Sequence, residues 1–151
     1  MRIGIISGYF NPVHTGHLDY IEGAKEKCDL LYAIVNSDHQ VGLKGSTRFM
    51  DQESRLRIVR ALRAVNRAMI SIDEDGSVVR SIASINKQYF DDPFVDMICF
   101  MNGGDRGYEN TPESDFCEQN GILLYHNVGG EKTESSSMLL NGVKTEKENN
   151  R

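Results

Sequence analysis

The chain has 151 residues, 39% hydrophobic and 26% charged, which suits a single globular domain with one core. Its 22 acidic residues outnumber its 17 basic ones, so it lacks the cationic excess with which a general nucleic-acid binder neutralises phosphates. No apolar run approaches the roughly 20 residues that span a bilayer, and Met1–Ser7 lacks a signal peptide's long apolar segment and cleavage site; a cytoplasmic protein without membrane contact is expected.

In chain order, apolar runs alternate with helical patterns. Arg2–Ser7 reads as a short buried strand. Gly16–Cys28 places Leu18, Ile21, Ala24 and Cys28 on one helical face, with Glu22, Lys25 and Glu26 outside. Leu30–Asn36 is a second strand, apolar from Leu30 to Val35. Asp51 is placed to cap a helix reaching about Val65, with Leu56, Val59, Leu62 and Val65 inward and its four arginines mostly outward. Ala68–Ile72 is a third strand and Ser77–Gln88 a weaker helix. Val95–Met101 is a fourth strand, followed by a turn at Gly103-Gly104. Thr111-Pro112-Glu113 opens a helix to Asn120, since proline suits a first turn, and Ile122–Tyr125 is the last strand. Strands apolar throughout, separated by helices, predict an α/β sandwich of three layers around a mostly parallel five-stranded sheet. The domain is expected to end near Val143, with residues 144–151 a polar tail. Cys28, Cys99 and Cys117 form no C-x-x-C pair and read as small buried hydrophobes.

Open parallel sheets bind ligands at the carboxyl ends of their strands. Gly8-Tyr9-Phe10-Asn11-Pro12-Val13-His14-Thr15-Gly16-His17 lies there, after the first strand. Gly8 would let backbone amides approach a phosphate, Asn11-Pro12 turns the chain, and Gly16-His17 opens a helix whose free N–H groups and dipole favour an anion. His14 and His17 stand three apart, so both rings can face one point and donate to one phosphate. As neutral donors they strengthen their hold when negative charge grows in a five-coordinate transition state. A zinc site would need further ligands, and no spacing of His39, His126 or the carboxylates supplies them; no protein-held metal is expected.

The run G-Y-F-N-P-V-H-T-G-H resembles the G-x-F-[D/N]-x-x-H-x-G-H signature of the cytidylyltransferase-like nucleotidyltransferases, and the resemblance extends to about Val143. Val35-Asn36-Ser37-Asp38, Leu43-Lys44-Gly45, Thr47-Arg48 and the Arg55…Val65 pattern are similar to the adenylyltransferases that make ADP-heptose, as is Gly103-Gly104-Asp105. Glycerol-3-phosphate cytidylyltransferases share much of this pattern. Ser135-Ser136-Ser137 is similar to the element that opens the family's last helix. The resemblance implies a Rossmann-like fold and transfer of a nucleotidyl group, AMP favoured, from ATP or CTP to a small phosphorylated acceptor. It also implies Mg2+ carried with the NTP, and a homodimer.

It further implies a role for each matching residue. Gly8, Tyr9, Phe10, Asn11 and Gly16 line the nucleotide; His14 and His17 hold phosphate oxygens; Lys44, in a loop between Gly42 and Gly45, reaches the reacting phosphates. Arg55 points to the same anionic pocket, Gly104 and Asp105 meet nucleotide or acceptor, and Ser135, Ser136 and Ser137 hold the β- and γ-phosphates. Three departures bear on the acceptor and the base. Asn11 stands where the heptose and cytidylyl enzymes commonly have aspartate, Asn102 where a lysine often precedes the glycine pair, and Gly129-Gly130-Glu131-Lys132 replaces an arginine-containing loop. A cytidylyltransferase of an alcohol phosphate and a non-catalytic nucleotide-binding module are the competing expectations.

Overall fold

The structure is a computed structural model and describes residues 1–103 and 110–129. Five strands, β1 (Arg2–Gly8), β2 (Leu30–Val35), β3 (Arg67–Ile70), β4 (Met97–Gly103) and β5 (Leu123–Val128), form one sheet in the order β3-β2-β1-β4-β5. Every pairing is parallel, so the sheet is wholly rather than mostly parallel. Helices α1 (Thr15–Lys25), α2 (Asp38–Lys44), α3 (Gln52–Ala61), α4 (Val79–Tyr89) and α5 (Pro112–Gln119) alternate with the strands.

Alternation along β1 divides the core. Ile6 packs with Ile21 and Ala24 of α1 and Leu56 and Val59 of α3 on one face. Ile3 and Ile5 pack with Ile82 and Ile85 of α4 and Cys117 of α5 on the other. Both faces of the sheet are therefore covered, as the continuous apolar strands require. The three cysteines are free; Cys99 and Cys117 are buried, and burial pushes their thiols up to about 11 and about 12.

Several boundaries differ from the sequence pattern. The second amphipathic helix stops at Ala61, because Leu62 turns extended at φ −72° and ψ 134°, yet Val65 stays buried beyond it. Asp51 caps it as expected, accepting the Ser54 N–H at 2.9 Å. Of the four arginines in the expected stretch, Arg57, Arg60 and Arg63 (the last beyond the helix end) are exposed, but Arg55 is fully buried.

Helix α2 is a correction. Lys44 is its last residue rather than part of a loop. Ser37 caps the helix, Gln40 returns the bond to the Ser37 N–H at 3.0 Å, and Gly45 closes it at φ 78°. Gln40 also donates to the carbonyls of Asp75 and Ser77, both at 2.8 Å, which anchors the short helix to the segment after β3. The order reverses direction at β1, with β2 on one side and β4 on the other, and the loop after β1 leaves at that point.

Candidate active site

Glycine at the end of β1 makes room for an aromatic ring. A Cβ on Gly8 would lie 2.8 Å from the Phe10 ring, so Phe10 packing by itself requires glycine here. Phe10 is 1% exposed, holds φ 51°, and presents its ring edge to His17 at 5.1 Å between centroids. A buried aromatic in the left-handed region is strained. Its burial offsets that cost and leaves the ring against His17.

His14 is the N-cap of α1. Its Nδ1 accepts the Gly16 N–H at 3.1 Å, and the Nδ1 of His17 accepts the His14 N–H at 3.1 Å. At this helix start the Gly16 amide is engaged by an imidazole. The exchange has a chemical consequence. An Nδ1 that accepts must be unprotonated, so each neutral ring carries its proton on Nε2. The rings stack at 3.8 Å and 28°, giving two N–H donors side by side beyond the end of the helix. Gly16 permits this, since a Cβ there would sit 3.0 Å from the His14 ring.

Burial, and next the neighbouring His14, lower the His17 pKa to about 4. Protonating His17 would also place a hydrogen on Nδ1, facing the His14 N–H. His17 is therefore a neutral donor at physiological pH.

Lys44 enters from the opposite side, with its Nζ 4.3 Å from the centre of the Tyr9 ring. The ammonium lies against an aromatic face at the pocket wall, a favourable contact for a cation. His14, His17 and Lys44, far apart in sequence, line one cavity of about 480 Å3 with Tyr9, Phe10, Asn11, Pro12, Ser46, Thr47 and Phe49. Sequence reading gave no site role to the last three or to Pro12, although Pro12 and Thr47 stand in its motifs. They belong to turns, which carry no periodicity, although the Ser37-x-x-Gln40 capping box announces the helix that delivers the loop.

Arg55 acts beneath the cavity rather than in it. Its Nη1 donates to the Tyr9 carbonyl at 2.8 Å and the Asn36 carbonyl at 2.7 Å; its Nε donates to Met50 at 3.2 Å. Its Nη2 meets Asp38 Oδ1 at 2.8 Å, and the other oxygen of Asp38 holds Arg48 at 3.0 Å. One buried guanidinium thus joins the loop after β1, the end of β2 and the loop before α3. Asn11 makes a second tie, donating to the Thr47 carbonyl at 2.8 Å and accepting the Phe49 N–H at 3.0 Å. Both jobs need an amide. An aspartate would accept from Phe49 but would face the Thr47 carbonyl without a hydrogen to share.

Gly104, Asp105, Lys132 and Ser135–Ser137 lie outside the described residues. Asn102 is buried at the end of β4. Among the described residues no three His, Cys, Asp or Glu side chains come together as a metal site. No described helix is long and apolar enough to cross a membrane.

Residues 5–114 match the family model described as cytidylyltransferase-like. The chain belongs to the cytidylyltransferase-like family of nucleotidyltransferases. Among curated relatives, the bifunctional protein HldE of Rhodopseudomonas palustris (strain BisA53) is 32% identical over 138 residues, which are 89% of this chain and 26% of that protein. The chain thus spans about a quarter of the length of that relative. FAD synthase of Thermoplasma acidophilum is 32% identical over 69 residues, 46% of this chain and 49% of that one.

The fold of this cytidylyltransferase-like chain is also found in a lipopolysaccharide core biosynthesis protein from Thermoplasma volcanium. There the TM-score is 0.68 at 22% identity, covering 87% of this chain and 99% of that one. A putative nicotinate-nucleotide adenylyltransferase from Vibrio parahaemolyticus matches with a TM-score of 0.53 at 19% identity, covering 94% and 80%.

Proposed function

We propose that this cytidylyltransferase-like chain transfers AMP from ATP to a small sugar phosphate and releases pyrophosphate. The observation that carries the reading is the His14/His17 pair, whose backbone-held Nδ1 atoms leave two neutral Nε2–H donors in the cavity that Lys44 also lines. Adenylyl transfer to a sugar phosphate is favoured by the likeness of the Asn36–Asp38, Lys44 and Arg48 segments to the enzymes that make ADP-heptose, and a protein named HldE is among the relatives.

An oxygen of the acceptor phosphate attacks the α-phosphorus in line. The bond from that phosphorus to the bridging oxygen of pyrophosphate breaks, and the electron pair leaves with pyrophosphate. An acceptor phosphate with a second pKa of about 6 is already ionised near neutral pH, so no general base is needed. The histidine donors meet charge that grows on the α-phosphate oxygens, while Lys44 offsets charge on the triphosphate. Mg2+ would arrive on the triphosphate and neutralise the leaving pyrophosphate. The described wall fits that division of labour, because its donors are imidazole and ammonium and the nearby Asp38 carboxylate is already held by two arginines. Ser135–Ser137 would hold the β- and γ-phosphates and Gly104–Asp105 the nucleoside side. The working form in this proposal is a cytoplasmic homodimer, which sedimentation of the purified chain checks.

The test is pyrophosphate release with ATP or CTP, Mg2+ and a panel of sugar and polyol phosphates. Release with ATP and a sugar phosphate, lost in His17→Ala, supports the proposal. Release only with CTP and glycerol 3-phosphate replaces it with a cytidylyltransferase. Nucleotide binding without turnover across the panel favours a binding module.

A further inference from the structure

Phe49 is out of keeping with its surroundings. It lines the cavity that holds His14, His17 and Lys44, yet its side chain is 71% exposed and belongs to neither core cluster. Its backbone is nevertheless held in place. The Phe49 N–H is bound by Asn11, Asn11 also grips Thr47, and Arg48 between them is paired with Asp38. Three consecutive residues of the loop are tied down, and the phenyl ring is carried out from this fixed backbone to the cavity wall. An exposed aromatic at the wall of a cavity provides an apolar contact face for a ligand. Of the other aromatics lining the cavity, Phe10 is buried and Tyr9 already has the Lys44 ammonium on its ring.

We propose that Phe49 is an acceptor-selecting residue, whose ring forms the wall against which a cyclic sugar of the acceptor packs its C–H face. The inference rests on the transferase reading above. Its geometric argument is positional. The loop carrying Phe49 connects α2 to α3, on the β2–β3 side of the switch point at β1. The proposed function puts the nucleoside on the other side, where β4 ends at Gly103. In-line displacement requires the attacking group to approach the α-phosphorus opposite pyrophosphate, along a path separate from the nucleoside. With the phosphates on the histidines and Lys44, the Phe49 side is the acceptor's. A pyranose presents a continuous C–H face to such a ring, whereas an open-chain polyol phosphate does not.

The experiment has a binding arm and a kinetic arm. The chain contains no tryptophan, so Phe49→Trp introduces a single fluorescent reporter at the proposed wall. It is titrated with heptose 1-phosphate, mannose 1-phosphate and glycerol 3-phosphate in the presence of an α,β-methylene ATP analogue, and with ATP and CTP analogues alone. A saturable emission change with the cyclic sugar phosphates, absent with glycerol 3-phosphate and with nucleotide alone, is expected. Quenching by nucleotide alone would assign the ring to the base and overturn the proposal; no response to any sugar phosphate would also overturn it.

In the kinetic arm, Phe49→Ala should raise the acceptor KM roughly tenfold, the scale of one aromatic contact. The KM for ATP should stay unchanged, and Phe49→Tyr should restore the acceptor KM. An unchanged acceptor KM, or an equal rise for both substrates, counts against the assignment. Because the fluorescence arm needs no turnover, failure of the transferase reading and failure of the Phe49 reading give different results.

Discussion

The two walls of the cavity are built in different ways. The α1 wall is local: His14, Gly16 and His17 satisfy one another's backbone and ring atoms within four residues, over a buried Phe10. The wall from Lys44 to Phe49 is exposed along its whole length and is held by distant partners, Asn11, Asp38 and, through Tyr9 and Met50, Arg55. A locally closed arrangement keeps its geometry whatever surrounds it, which suits donors that must match a transition state within a fraction of an ångström. A loop held by side-chain ties can change its own residues without disturbing those donors. In the proposed reading, the first wall supplies the transition-state donors, and the second supplies Lys44 and the choice of acceptor.

The severest way to break this comparison is Arg55→Ala. It strands the Tyr9, Asn36 and Met50 carbonyls and loosens Asp38, at a cost of about 3–5 kcal/mol in unfolding free energy. Urea denaturation measures it. A fully stable variant with weakened nucleotide binding alone would return Arg55 to the role of a phosphate ligand. Next is His17→Ala, expected to lower kcat by about 10²–10³. His17→Asn should recover helix stability, by offering an acceptor to the His14 N–H, without recovering the rate. Recovery of both would make His17 a cap and nothing more.

Asn11→Asp sharpens the division between walls. Loss of the donor to Thr47 should loosen the Thr47–Phe49 loop at a cost of about 1–3 kcal/mol. The acceptor KM should rise while the ATP KM and the His17 environment stay put. An equal effect on both substrates would mean that the walls move together.

The smallest effect is in pH. The folded-state pKa of His17, about 4, lies below its ordinary 6.5, so the unfolded chain takes up a proton first as pH falls. The contribution is present in full above pH 6.5 and is lost progressively between there and pH 4. The slope of stability against pH in that window should fall in a His17→Asn variant. Proton NMR of the free protein should show one histidine still neutral at pH 5; titration near 6.5 by every histidine would contradict the buried-donor arrangement.

The amino-acid sequence by itself determined the strand–helix alternation, the inward faces of Ile21, Leu56 and Val59, and the pairing of His14 with His17, because each depends on contacts within a few residues. Its periodicity stopped short at α2. Seven residues holding one glycine and one large apolar contact show no pattern, and the helix owes its anchorage to Gln40 reaching Asp75 and Ser77. Periodicity alone left Arg55 indistinguishable from Arg57, Arg60 and Arg63 in a helical face, and only the family resemblance set it apart; its burial against the Tyr9 and Asn36 carbonyls depends on the parallel pairing of β1 with β2. The same holds for Asn11 and Gly8. Both sit in a signature that reads as phosphate-binding, and only the folded chain shows that one also clasps a loop 36 residues away and the other makes room for Phe10. Local spacing carries what backbone and side chain decide within a turn, whereas partners set by strand order exist only once the sheet has assembled.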